Sequence, residues 1–380
     1  MLSQLQHLSL LVLFGHHVHG LASFASVFQE VKVSVPSEIN ASLGPGQTLD
    51  QPTGFDVPMQ GTAASTELFP IPQCHDITIE EATIDQLQQH MTEGRLTAQQ
   101  LAVCYMQRMW QTNQFINSVI ELNPDVLEIA THLDAERRTG RVRGPLHGIP
   151  FTVKDNIASK DRMQTAAGSW ALQGSIVPRD AQVVAKLREA GALLFGKATL
   201  SEWADMRSNN YSEGYSARGG QCRSSYNLTV NPGGSSSGSA VGVAANVFTF
   251  ALGTETDGSV INPAERNAVV GIKPTVGLTS RAGVIPESTH QDTVGTFART
   301  VRDATYVLDA IYGPDERDNY TSAQVGKTPI GGYAQYLTDR YALKGATLAS
   351  HGIASGSKFL LSLSYARYPA CVLGPLCLVL

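Results

Sequence analysis

Ser259 is where chemistry could gather in this chain. It ends a polar turn, Thr254-Glu255-Thr256-Asp257-Gly258-Ser259, inside a stretch (residues 233–275) that opens on Gly233-Gly234-Ser235-Ser236-Ser237-Gly238-Ser239. A serine hydroxyl at neutral pH is a weak nucleophile and needs a base within hydrogen-bond reach. His147 and His290 are the candidates for a Ser-His-Asp system, but neither sits in a motif that supports one, and both read as structural. Glu255 and Asp257 offer a carboxylate pair suited to acid–base work; a structural role in the turn is the preferred reading. The Gly/Ser loop has the composition of an anion cradle. It lacks the GxxxxGK[ST] order of a phosphate loop, because Lys273 follows far downstream and precedes Pro274.

These residues need elements to hold them. A flexible linker would not run straight into the apolar sequence AVGVAANVFTFALG. That continuation predicts a helix after the Ser-rich loop and a buried strand over residues 248–252. The turn 253–259 then lies at the carboxyl end of a strand, where open α/β sheets place their ligands. Upstream, residues 150–153 predict a short buried strand with Lys154 at its end. Taken alone, Lys154 would read as a surface or ion-paired lysine with Asp155 as its partner. Asp180 is placed to cap a helix carrying Val183, Val184 and Leu187, which Gly191 closes, and residues 192–195 predict the next strand. Thr78 with Glu81, and Thr97 with Gln100, have capping-box spacing. Ile84, Leu87 and Met91 mark one buried helical stripe, and Leu101, Tyr105 and Met109 another. Alternating strands and helices argue for an α/β sheet.

Three segments, in this order and spacing, carry a family resemblance. They are Gly148-Ile149-Pro150-Phe151-Thr152-Val153-Lys154-Asp155, the loop 233–239, and the turn 254–260 followed by Gly271-Ile272-Lys273-Pro274-Thr275. Together they resemble the amidase signature family, serine hydrolases that use a Ser–Ser–Lys triad. The resemblance implies an α/β/α sandwich around a large mixed β-sheet, with neither cofactor nor metal. It assigns Ser259 as nucleophile, Lys154 as base and Ser235 as the relay between them. It also implies a cis peptide bond between Gly234 and Ser235, and an oxyanion hole of backbone N–H groups in Thr256, Asp257, Gly258 and Ser259. Ser236 and Ser237 would support Lys154 or the loop. Lysine normally titrates near 10.4, so burial amid uncharged hydroxyls and amides must lower it; a fall of roughly three units costs about 4 kcal/mol.

The commonest family turn reads T-D-x-G-G-S-I-R, whereas this chain has Glu255, Asp257 and Ile261 at the varied places. The TETDGS form resembles the peptide amidase branch, whose members release ammonia from a C-terminal carboxamide. Ser201-Glu202-Trp203, Tyr215-Ser216-Ala217-Arg218-Gly219-Gly220 and Gln291-Asp292-Thr293 share that likeness. Asp292 and Arg299 read as a structural pair. The family pattern runs through residues 301–312 to 343–346, and residues 350–380 leave its register, which predicts a fold incomplete at the C-terminus. The organisation expected is a signal peptide at 1–22, an irregular arm at 23–75, an amidase domain at 76–348 and an atypical tail at 349–380. Two alternatives stand beside the hydrolase: an impaired homologue acting as a binding protein, and the amidase component of the glutamyl-tRNA amidotransferase that forms glutaminyl-tRNA. The latter normally carries a TGGSIR-type turn and has dedicated partner proteins.

Composition sets the outer bounds. A chain of 380 residues with 42% hydrophobic and 16% charged residues fits a soluble globular protein with a sizeable core. A net charge of -5 gives no electrostatic footprint for nucleic acid, and the partner expected is a small-molecule or peptide amide. No apolar run is long enough to span a bilayer. Residues 8–14 and the small-x-small site Gly20-Leu21-Ala22 predict secretion, although no Lys or Arg precedes the run. Asn40, Asn210, Asn227 and Asn319 head sequons that matter only in a secreted protein. The 5 cysteines show no metal-ligand spacing and leave room for a disulfide that the sequence does not select.

Overall fold

The computed structural model describes residues 69–338 except 72 and 209, together with the backbone of 377–379. The expectations for the signal peptide, for most of the arm and for nearly all of the tail lie outside the described residues.

Helix α1 (Ile84–Thr92) begins at Thr83, whose hydroxyl accepts from Gln86 N while the Gln86 side chain returns to Thr83 N. The capping box expected from Thr78 and Glu81 does not form. Glu81 has φ +52°, and it is held by Asn246, which accepts from its N–H at 2.9 Å and donates to its carboxylate at 3.0 Å. The Thr97–Gln100 box does form and starts α2 (Ala98–Ile116). Ile84, Leu87, Met91, Leu101, Tyr105 and Met109 are all buried. Strand β1 (Val119–Leu122), α3 (Val126–Arg138), β2 (Pro150–Lys154) and α4 (Gln182–Glu189) follow. Ala181, not Asp180, occupies the N-cap of α4. The Asp180 carboxylate instead accepts from Lys160 N at 2.5 Å and pairs with the Arg188 side chain of α4 at 3.2 Å, so it does not cap the helix backbone.

Strand β3 (Leu193–Ala198) precedes a two-stranded ladder, β4 (Tyr215–Ser216) with β5 (Gly220–Gln221). The Ser-rich loop then leads into α5 (Ser237–Ala244), β6 (Phe250–Glu255), α6 (Ile261–Arg266), β7 (Val270–Lys273), β8 (Thr293–Ala298), α7 (Val301–Ile311) and β9 (Cys377–Val379). Among the described residues the main sheet has 7 strands in the order β1-β3-β2-β6-β8-β7-β9. Only its centre is parallel: β2 runs parallel to β3 and β6, and the other pairs are antiparallel. Every residue of β2, β3, β6 and β8 is buried, so both faces of the centre are covered, the α/β/α arrangement of a mixed sheet.

The positioning of the site follows from this register. Phe151 lies opposite Phe250 with the rings stacked at 5.2 Å, and Val153 lies opposite Leu252. The ends of β2 and β6 therefore emerge side by side. Helix α5 packs against β2, β3, β6 and β8, which brings the Ser-rich loop at its N-terminus over those ends. A disulfide between Cys74 and Cys104 ties the segment before α1 to α2, and Cys222 is a buried free thiol. Among the described residues no helix is long and apolar enough to cross a membrane.

Candidate active site

Lys154, the last residue of β2, is completely buried. Its ammonium donates to Ser235 Oγ at 2.6 Å, to Thr254 Oγ1 at 2.8 Å and to the Thr254 carbonyl at 3.2 Å. All of these acceptors are uncharged. Burial therefore dominates and pulls Lys154 down to about 8, against the opposing fields of Glu287, Asp205, Glu255 and Asp292. The ion-paired reading with Asp155 fails. The Asp155 carboxylate accepts from Gly168 N at 2.8 Å and pairs with Arg218 at 3.3 Å, and its own burial raises it to about 6.

Ser235 follows a cis peptide bond from Gly234, and its carbonyl accepts from Ser201 N at 3.0 Å. A Cβ at Gly234 would run into the Glu213 carboxylate and lie 2.6 Å from Ser201 Oγ, so a larger residue there would have to push both side chains aside. Ser236 Oγ donates to the Thr254 carbonyl at 3.1 Å and accepts from Thr254 N at 3.3 Å, which fastens the loop to β6. Ser237 Oγ donates to the Gly233 carbonyl at 2.6 Å and closes the loop on itself. The hydroxyl that meets the lysine alongside Ser235 is that of Thr254. It also accepts from Asn156 Nδ2 at 3.0 Å. The sequence motifs give Thr254 no role. The pairing of Val153 with Leu252 is the signal that exposes it, because Thr254 then falls one step past the level of Lys154.

Ser259 is 7% exposed, and its carbonyl accepts from Ser236 N at 3.2 Å, so the turn and the loop are joined through the backbone. Gly258 has φ +143°, a backbone that L side chains rarely adopt. Among the described residues no backbone carbonyl accepts from the N–H of Asp257, Gly258 or Ser259. Glu255 and Asp257 do not act as a pair. Buried Glu255 accepts from Val260 N at 2.7 Å and Ile261 N at 2.9 Å, which stabilises the positive end of α6, while Asp257 is exposed. Thr256 Oγ1 donates to Asp292 Oδ1 at 2.7 Å, and the other Asp292 oxygen accepts from Glu287 N at 2.8 Å and Ser288 N at 2.9 Å.

The pair expected of Asp292 and Arg299 is absent. The two residues flank opposite ends of β8 (Thr293–Ala298), and an extended run of that length holds them ~20 Å apart. Arg299 instead donates to the carbonyls of Val243, Phe248 and Ala82 at 3.3, 3.1 and 2.7 Å. The histidines are engaged elsewhere, His147 with the Leu133 carbonyl at 3.0 Å and His290 with the Tyr320 hydroxyl at 2.8 Å. Beside the site lies a small cavity of about 10 Å³, roughly the room for one water, lined by Thr254, Thr256, Arg281, Val284, Glu287 and Asp292, among others. Among the described residues no cluster of His, Cys, Asp and Glu could hold a metal ion.

Comparison with known proteins gives the family. A family model described as Amidase matches residues 100–335. The Schizosaccharomyces pombe protein named "Putative amidase C869.01" is 60% identical over 329 residues, 86% of this chain and 55% of that protein. The solved peptide amidase of Stenotrophomonas maltophilia superposes with a TM-score of 0.63 at 51% identity, covering 67% of this chain and 51% of that one. A glutamyl-tRNA(Gln) amidotransferase component from Symbiobacterium thermophilum is 41% identical over 238 residues, 62% of this chain and 47% of that protein. The chain thus spans about half the length of the curated relatives it matches.

Proposed function

This chain belongs to the amidase family, and from that premise we propose that it hydrolyses a carboxamide, releasing a carboxylic acid and ammonia or an amine. In this reading neutral Lys154 takes the Ser235 proton as Ser235 takes that of Ser259. The freed Ser259 oxygen adds to the amide carbonyl, and the negative charge that develops is met by the backbone N–H groups of the turn 256–259. Removing one such donor typically costs about 3–4 kcal/mol. Collapse of the adduct breaks the C–N bond, and the leaving nitrogen takes the proton held on Lys154, returned through Ser235. Water then attacks the acyl-enzyme by the same relay in reverse and restores Ser259.

The observation that carries the reading is the 2.6 Å hydrogen bond from a fully buried lysine, lowered to about 8, to the serine after the cis bond. An amine titrating there is partly neutral at physiological pH, which an ordinary lysine is not. A fluorophosphonate probe tests it: covalent labelling should map to Ser259 by mass spectrometry. A folded chain that takes up no label would turn the reading toward an impaired homologue that only binds. Thr254→Val removes an acceptor of the Lys154 ammonium while keeping the side-chain shape, and is expected to move the midpoint of the pH profile of labelling to lower pH.

For substrate we favour linear carboxamides of the peptide-amide kind, a reading supported by the TETDGS turn and by the likeness to a peptide amidase. Ammonia release from C-terminally amidated dipeptides, set beside glutamine and simple aliphatic amides, decides it. The amidotransferase reading has less behind it, since the likeness there falls to 41%. Secretion remains our proposal for location, and the Cys74–Cys104 disulfide supports it because such bonds persist in oxidising compartments. Recovery of the protein from culture medium with that bond formed is the expected result.

A further inference from the structure

Lys154 presents a problem of charge balance. A buried ammonium whose bonded partners are all neutral must be compensated from the next layer. The carboxylates whose fields reach it are Glu287, Asp205, Glu255 and Asp292. Two of these are committed to hydrogen bonds, and a third lies away from the cavity. Glu255 is bound to the N–H groups of Val260 and Ile261. Asp292 is bound to Thr256, Glu287 N and Ser288 N. Asp205 lies on the turn after β3 and is not among the residues that line the cavity beside Thr254.

Glu287 is different. It lies on the segment between β7 and β8, half-buried, and lines the same cavity as Thr254, the threonine that receives Lys154. Its side chain shares that cavity with Thr256, whose hydroxyl donates to Asp292. Thr254 and Thr256 thus form a short polar edge with the lysine on one side and Glu287 on the other. We propose that Glu287 is a positioning residue that sets the proton affinity of Lys154 across the Thr254–Thr256 edge.

The inference rests on the proposed hydrolase reading but can fail separately. Burial, partly offset by Lys154, lifts Glu287 to about 7, while Asp292 and Asp257 push it the same way. In the pH range where Lys154 loses its proton, near 8, Glu287 is therefore ionised and its charge holds that proton on. Glu287→Gln keeps the shape but removes the charge. Lys154 should then titrate lower by ~1 unit, the lower end of the effect of one nearby charge. At pH 7 that raises the neutral amine fraction, and with it the rate of Ser259 labelling, ~5-fold. Glu287→Asp restores a charge and should bring the midpoint back toward wild type.

Two readouts on the full chain separate the possibilities. One is the pH profile of fluorophosphonate labelling in wild type, Glu287→Gln and Glu287→Asp. The other is the titration of the Lys154 Nζ signal by NMR with ¹⁵N-lysine, assigned by its loss in Lys154→Met. A lower midpoint in Glu287→Gln, recovered in Glu287→Asp, establishes the coupling even if the protein proves not to label. An Nζ midpoint unchanged in Glu287→Gln overturns it, whatever the labelling shows, because a merely structural glutamate would leave the amine where it was.

Discussion

Lys154→Met should reduce fluorophosphonate labelling and amide hydrolysis at pH 7 by at least ~10³-fold, the scale seen when a member of a nucleophile–base unit is removed. The same variant should melt no lower than wild type, or slightly higher. The reason lies in what the lysine costs. Its folded value of about 8 is below the ordinary 10.5, so the folded state gives up this proton first. Between those two values the unfolded chain holds a proton that the folded chain lacks, and stability rises with pH across the window. Below pH 8 both states hold the proton, and the folded state carries the full penalty of a buried ammonium, ~3 kcal/mol at ~1.4 kcal/mol per pH unit. Methionine of similar length removes that penalty. It also leaves the Ser235 and Thr254 hydroxyls without their donor, at a cost of ~1–3 kcal/mol. The two effects nearly cancel at pH 7, and any advantage of the variant should shrink from pH 8 to 10 as the wild-type amine becomes neutral. Thermal melts of both proteins at pH 7, 8, 9 and 10 check this directly. A variant that loses activity by unfolding would instead mean that Lys154 is structural.

The sequence made some of this site legible and hid the rest for physical reasons. Lys154, Ser235 and Ser259 stand in local motifs, where a strand end, a Gly/Ser loop and a turn each need only their own residues to be recognised. The strands around them are also visible, because Phe151, Val153, Phe250 and Leu252 belong to short apolar runs. Thr254 and Glu287 escape because their importance is not local. Thr254 meets Lys154 only through the parallel register of β2 with β6, and Glu287 only because the segment after β7 returns to the end of β6. The misread pairs fail for related reasons. Asp292 and Arg299 have opposite charges close in sequence yet sit at opposite ends of one strand, while Asp180 looks like a helix cap but is drawn to Lys160 and Arg188. Capping-box spacing at Thr78 is true of the letters, yet the apolar period starts only at Ile84, and the genuine cap is the residue before it.

Gly238→Ala should fail in the opposite way to Lys154→Met, losing structure and activity together. Gly238 is the second residue of α5, and its N–H donates to the Thr199 carbonyl at 2.9 Å. A Cβ there would collide with the Ser118 carbonyl oxygen and lie 2.5 and 2.7 Å from Thr199 N and O. All of these atoms are backbone, and Thr199 N already donates to Ser118 O at 2.9 Å, so neither segment can give way without breaking that bond. Overpacking against flexible side chains typically costs 1–3 kcal/mol; against fixed backbone we expect ~3 kcal/mol. For a domain of this size that is a fall of ~10 °C in Tm. The helix must also shift outward, taking Ser236 and Ser235 with it, and a displacement of ~1 Å in a relay of hydroxyls costs ~10²-fold in rate. Gly94→Ala is the matched control. It has φ +71° with nothing near its would-be Cβ, so it carries only the left-handed backbone penalty of ~1–2 kcal/mol and should label at the wild-type rate. Equal melting temperatures for the two variants would show that α5 does not approach β3 as closely as these distances require, and with that the anchoring of the serine loop over the end of β2 would be lost.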